Sequence, residues 1–109
     1  MKLTLDVENT VTKRDGKMHL DPFEPDNSLT MVGVLTDQGM EQHFPFDHAD
    51  VPNQKDYYER VQWYLDEATI LICHNAAHDL LWLWESGFTY DGPVFDTMLA
   101  EYVLQRGIK

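Results

Sequence analysis

A chain of 109 residues with 43% hydrophobic and 12% aromatic content is long enough for one domain that buries roughly 65% of the surface its unfolded form exposes, which excludes a disordered polyelectrolyte. Nineteen acidic against eight basic residues give a net charge of -11, which excludes binding a polyanion through a broad basic surface, because counterion release needs Lys and Arg against phosphates. A single cysteine, Cys73, excludes an internal disulfide, and no run approaches the ~18 apolar residues of a membrane span. The expectation is a soluble, intracellular, cytoplasmic protein with no membrane partner.

Residues 2–10, KLTLDVENT, alternate Leu3, Leu5 and Val7 with Lys2, Thr4 and Asp6, the period of two of a pleated strand. Its polar side ends in two carboxylates of one parity, Asp6 and Glu8, about 7 Å apart or less. Residues 12–29 carry Gly, Pro, Asp and Asn and predict an irregular excursion with a short hairpin near Asp15 and Gly16. A second hairpin is predicted through Leu35, a turn at Asp37 to Gly39 and a strand ending near Pro45. After a polar linker at 47–53, Tyr57, Val61, Tyr64 and Leu65 have helical spacing. TILIC then reads as a strand buried on both faces, and a helix follows from just after Asn75 to a stop at Gly87. Val94 and Phe95 form a short strand, and a last helix is capped by Asp96 or Thr97. The order predicts an α/β fold with a mixed sheet: three antiparallel-linked strands, then helix, strand, helix, strand, helix.

In such sheets ligands gather outside the carboxyl ends of the strands. Asp6 and Glu8 lie at the carboxyl end of the first strand, and Asp79 follows that of TILIC; if these strands are neighbours, three carboxylates converge. With no Lys or Arg beside them, the cluster suits hard, oxygen-seeking ions, Mg²⁺ or Mn²⁺. Two such ions about 4 Å apart can hydrolyse a phosphodiester, which reconciles the negative charge with a nucleic-acid substrate. Two other readings stand beside this one. Acidic residues can simply keep an edge strand soluble, and His74 with His78 has the i, i+4 spacing of a zinc pair, though without a glutamate motif between them.

LDVENT resembles the first motif, Asp-x-Glu, of the DEDD 3′→5′ exonucleases. HNAAHD resembles their second motif, in which Asn precedes Asp by four residues, and FDTMLAEYVL is similar to the segment that follows it in bacterial and phage family A DNA polymerases. The resemblance spans Leu3 to Leu104 and implies a ribonuclease H-like fold and proofreading on the 3′ end of single-stranded DNA. It implies that Asp6 bridges two metals, Glu8 holds the water-activating one and Asp79 the second, and that Thr10 and Asn75 contact the substrate or brace the turn; helix capping is the other reading of Asn75. The family's third motif, a Tyr or His followed by Asp, has no counterpart, since no Asp follows Asp96. The resemblance therefore implies a single, C-terminally truncated exonuclease domain completed by a polymerase domain or partner chain, or else a non-catalytic accessory module. Asp96 reads as a helix cap.

DVENT is also similar to the nucleophile loop of haloacid-dehalogenase-like phosphatases, but Glu8 is a methylene too long for that role and no Lys lies between Lys55 and Lys109. Trp63, Trp82 and Trp84 have faces on which bases could stack, but most of them are expected in the core; the scattered methionines suggest packing, and Cys73 is expected buried and inert.

Overall fold

The alternation at the start of the chain decides which way the first strand faces. In the computed structural model, which describes residues 1–46 and 54–101, β1 (Lys2–Asn9) buries Leu3, Leu5 and Val7 and exposes Lys2, Thr4, Asp6 and Glu8. The excursion that follows holds the expected hairpin, β2 (Thr12–Arg14) and β3 (Lys17–His19). Its two-residue turn places Asp15 at φ 52° and Gly16 at φ 76°, the paired positive angles of the turn whose twist matches flanking strands.

β4 (Leu29–Thr36) and β5 (Glu41–Pro45) form the second hairpin, α1 spans Gln54–Glu67, β6 Ile70–Cys73, α2 Ala76–Glu85 and β7 Val94–Asp96. Residues 97–101 begin a third helix. The strands lie in the order β5-β4-β1-β6-β7. β4 is antiparallel to β1 and β5, whereas β6 is parallel to both β1 and β7. This is the mixed α/β sheet that the sequence predicts, with β1 and β6 as neighbours.

The register puts Leu3, Leu5 and Val7 on one face with Val32, Val34, Phe44, Leu71 and Cys73. Val61, Tyr64 and Leu65 of α1 pack there with Trp82 and Leu83 of α2 and Phe88. Fully burying a Val or Leu side chain contributes about 1.5–3 kcal/mol, so Val61 and Leu65, with the ring of Tyr64, anchor the otherwise polar α1 on the sheet. Cys73 is buried, and its thiol is pushed up to about 12 by burial first and then by the charges of Asp79, Asp96 and Asp6.

Three expectations need correction. β6 is not buried on both faces: Leu71 and Cys73 are covered, while Ile70 and Ile72 are half-buried because α1 and α2 share the opposite face. Of the tryptophans only Trp82 is core; Trp63 and Trp84 are 54% and 53% exposed, because each lies off the stripe its helix buries, Val61, Tyr64 and Leu65 in α1 and Ala76, Asp79, Trp82 and Leu83 in α2. Met18, Met40 and Met98 are likewise exposed. Among the described residues no helix is long and apolar enough to cross a membrane. The predicted linker with His48, and Tyr102, lie outside the described residues.

Candidate metal centre at the carboxyl end of β1

β6 pairs with β1 only over Lys2 to Thr4, so from Leu5 onward that side of β1 has no strand beside it among the described residues. The start of α2 occupies the place. Its buried stripe is Ala76, Asp79, Trp82 and Leu83, a helical repeat that carries one carboxylate into the core. Asp79 accepts the backbone N–H of Val7, a donor the missing strand would otherwise have met. Asp79 is 2% exposed, and its Oδ2 has no hydrogen-bond partner.

A buried carboxylate with one oxygen unpaired is costly as an anion. Its pKa is accordingly pushed up to about 7, chiefly by burial and then by the negative charge of Asp6; the Val7 N–H acts in the other direction, and Asp96 adds slightly to the rise. Asp6 and Glu8 project from the outer face of β1 and are exposed. The structure thus brings Asp79 and Asp6 within electrostatic reach across β1 and leaves Glu8 directed to solvent. Among the described residues no three His, Cys, Asp or Glu side chains are gathered closely enough to hold a metal ion. The donor type is the one a hard divalent cation takes: each of the three is a carboxylate, and the orphaned Oδ2 of Asp79 lacks the positive partner that burial of a charge requires. Asp6, Glu8 and Asp79 are the residues that would hold such an ion.

Asn75 occupies the N-cap position of α2 but makes no side-chain capping bond. Capping needs an extended backbone at that position, whereas Asn75 sits at φ 72°, ψ 66°, which corrects the capping reading. Asp96 does the capping instead. Its Oδ1 and Oδ2 accept the N–H groups of Asn75 and Ala76 at 3.0 and 2.9 Å, and Oδ1 also accepts those of Met98 and Leu99 at 3.0 and 3.4 Å. One carboxylate therefore caps both its own helix and α2, and these backbone donors, that of Ala76 foremost, hold its pKa below the ordinary range. The cap on its own helix is the sequence expectation; the reach across to α2 depends on β6 and β7 being neighbours.

Thr10 is engaged in the fold: its N–H donates to Ser28 O at 2.9 Å, and its Oγ1 accepts the Ser28 N–H at 2.8 Å. The two histidines do not form a zinc pair. The Nδ1 of His74 meets Thr97 Oγ1 at 2.9 Å, while the Nε2 of His78 donates to Asn9 Oδ1 at 3.0 Å. One neighbour escapes sequence reasoning. The register sets Asp6, Gly33 and His43 in a row, so that a Cβ on Gly33 would lie 3.3 Å from His43 Nδ1, and the ring is held from its other side by Glu41 at 3.0 Å. These residues line a groove of about 210 Å³ with Thr4 and Glu8. A glycine inside a predicted strand, marking a close approach, was the available signal.

No model of a known protein family matches this chain, and no curated protein matches it either.

Proposed function

We propose that this chain is the metal-dependent 3′→5′ exonuclease domain, ribonuclease H-like in fold, of a phage or bacterial family A DNA polymerase, acting on the 3′ end of single-stranded DNA. The observation that carries the reading is the buried, half-unsatisfied carboxylate of Asp79 set against Asp6. Such a group costs stability and is explained by a cation that completes it. The element order and the neighbouring β1 and β6 support the fold assignment.

Mg²⁺ or Mn²⁺ bound there would supply a lowered pKa for an attacking water and charge stabilisation at the scissile phosphate. The chain's own part is to hold donors in place: β1 fixes Asp6 and Glu8 on one face, the Val7 N–H fixes one oxygen of Asp79, and Asp96 fixes the start of the helix that carries it. Thr10 and Asn75 flank the same end of the sheet and are the residues assigned to the substrate strand.

The second reading, a non-catalytic polymerase accessory that binds a partner chain or a DNA end, is favoured by the exposure of Glu8 against the burial of Asp79, with no ligand set already assembled among the described residues. Single-stranded DNA and Mn²⁺ separate the two. Degradation from the 3′ end that is lost in Asp6→Ala supports the nuclease; Mn²⁺ binding without cleavage supports the accessory module; activity that persists in Asp6→Ala sinks this site.

A further inference from the structure

β1, β6 and β7 run parallel, the strand arrangement that in all-parallel sheets goes with cover on both faces. Here α1 and α2 lie on one face. On the other, the register sets Glu41, Leu35, Thr4, Ile72 and Phe95 in a single row across all five strands, roughly 19 Å from edge to edge at the usual strand spacing. Leu35 is 41% and Phe95 48% exposed, and Ile70 and Ile72 are half-buried. The row ends at the exposed carboxylate of Glu41, which His43 contacts, and is bordered by Asp6 and Glu8 on one side and by Lys2, beside Ile70, on the other.

We propose that this face seats a helix of a different chain, one with an apolar stripe along Leu35, Ile72 and Phe95 and a Lys- or Arg-bearing flank toward Glu41 and Asp6. Charge selects that occupant. A second copy would set the same carboxylates, on a chain of net charge -11, against themselves, and like charges in an interface cost several kcal/mol. A basic amphipathic helix instead meets an apolar row with its stripe and an acidic border with its flank. The inference uses the outer face of the sheet and shares Asp6 with the proposed metal centre, so the helix and a cation would compete for that carboxylate and the test is run without divalent metal.

The test uses the full chain and two helical peptides of about 18 residues, long enough to cross the row. One is built from Leu and Lys with a single apolar stripe, and the other carries Glu in place of every Lys. The Lys peptide is expected to shift the methyl NMR signals of Leu35 and Ile72 while those of Leu65 and Leu83 stay put, and the Glu peptide to shift none. Phe95→Asp and, separately, Leu35→Asp replace exposed side chains and should weaken binding by about tenfold or more with circular dichroism unchanged. Both add negative charge, so a purely electrostatic attraction would strengthen instead. Absent shifts at Leu35 and Ile72, equal binding of the Glu peptide, or undiminished affinity in both variants would overturn the proposal. So would a micromolar dimer in sedimentation that moves the same methyl signals, because the occupant would then be a second copy.

Discussion

Asp96 and Asp79 stand at either side of the turn between β6 and α2, and the fold treats them oppositely. Around Asp96, four backbone N–H groups converge on two oxygens, and the carboxylate is held in its ionised form. Around Asp79 there is one N–H, a second oxygen with no partner, and a neighbouring negative charge. The first arrangement is what stability alone selects, since it satisfies helix-start donors that otherwise go unpaired. The second opposes stability, and a residue that opposes stability at a strand end is a candidate for chemistry. The two environments lie only a strand apart, so the contrast comes from local hydrogen bonding and burial rather than from the net charge of the chain.

The largest expected effect would break the comparison outright. Asp79→Asn removes the charge a cation would meet, so Mn²⁺ affinity, followed by water-proton relaxation, should fall by about 100-fold or more. The same variant should be more stable than the parent at pH 8, by about 1–3 kcal/mol in urea unfolding, because the buried anion is gone. Equal Mn²⁺ affinity with lower stability would make Asp79 an ordinary structural residue.

The pH dependence sharpens the contrast. The folded pKa of Asp79, about 7, lies above that of an unfolded aspartate, so the folded chain holds an extra proton between roughly pH 4 and 7. Its contribution is fully present at and below about pH 4 and is lost as the pH rises to 7, at no more than about 1.4 kcal/mol per pH unit. Asp96 works in the reverse sense: its lowered pKa gives a contribution present above the unfolded value and lost as the pH falls through the folded one. Unfolding curves of the parent minus those of Asp79→Asn should therefore slope downward from pH 4 to 7. A flat difference would show that Asp79 is not held protonated.

Asp96→Ala frees the first N–H groups of two helices at once and should lower Tm by about 5 °C or more at pH 7. Mn²⁺ affinity should weaken less than in Asp79→Asn, because the ligands themselves remain. The smallest effect is expected at Asn75. Glycine accepts φ 72° without strain, and no capping bond is lost, so Asn75→Gly should change stability by no more than about 0.5 kcal/mol. If it also weakens binding of single-stranded DNA, the side chain contacts the strand; unchanged binding removes it from the site.

The element order was legible because it rests on periodicity and turn chemistry: the alternation in β1, the Asp15–Gly16 turn, the Tyr57 to Leu65 spacing and the Gly87 stop all act within a few residues. What lay beyond reach depends on neighbours. TILIC is apolar from Ile70 to Cys73, yet nothing in those residues says that both helices pack on one side. The tryptophans of α1 and α2 have identical chemistry, and only the helix orientation separates buried Trp82 from exposed Trp63 and Trp84. At the site, Asp6, Glu8 and Asp79 stood out as carboxylates at strand ends. The second duty of Asp96, the Val7 N–H that reaches Asp79 and the row through Gly33 to His43 emerge only once strand order and register are known.

The base of the excursion after β1 is already closed. Pairing of β1 with β4 continues to Asn9 and Leu29, and the Thr10–Ser28 bonds lie just beyond it. Residues 11–27 therefore hang from a sheet whose alignment does not depend on them, as an exchangeable cassette. A short turn grafted between Thr10 and Ser28 should leave the five strands aligned, the visible scars being the Trp82 indole N–H and the Asn9 side-chain amide, which lose Leu20 O at 3.0 and 3.1 Å and must find water.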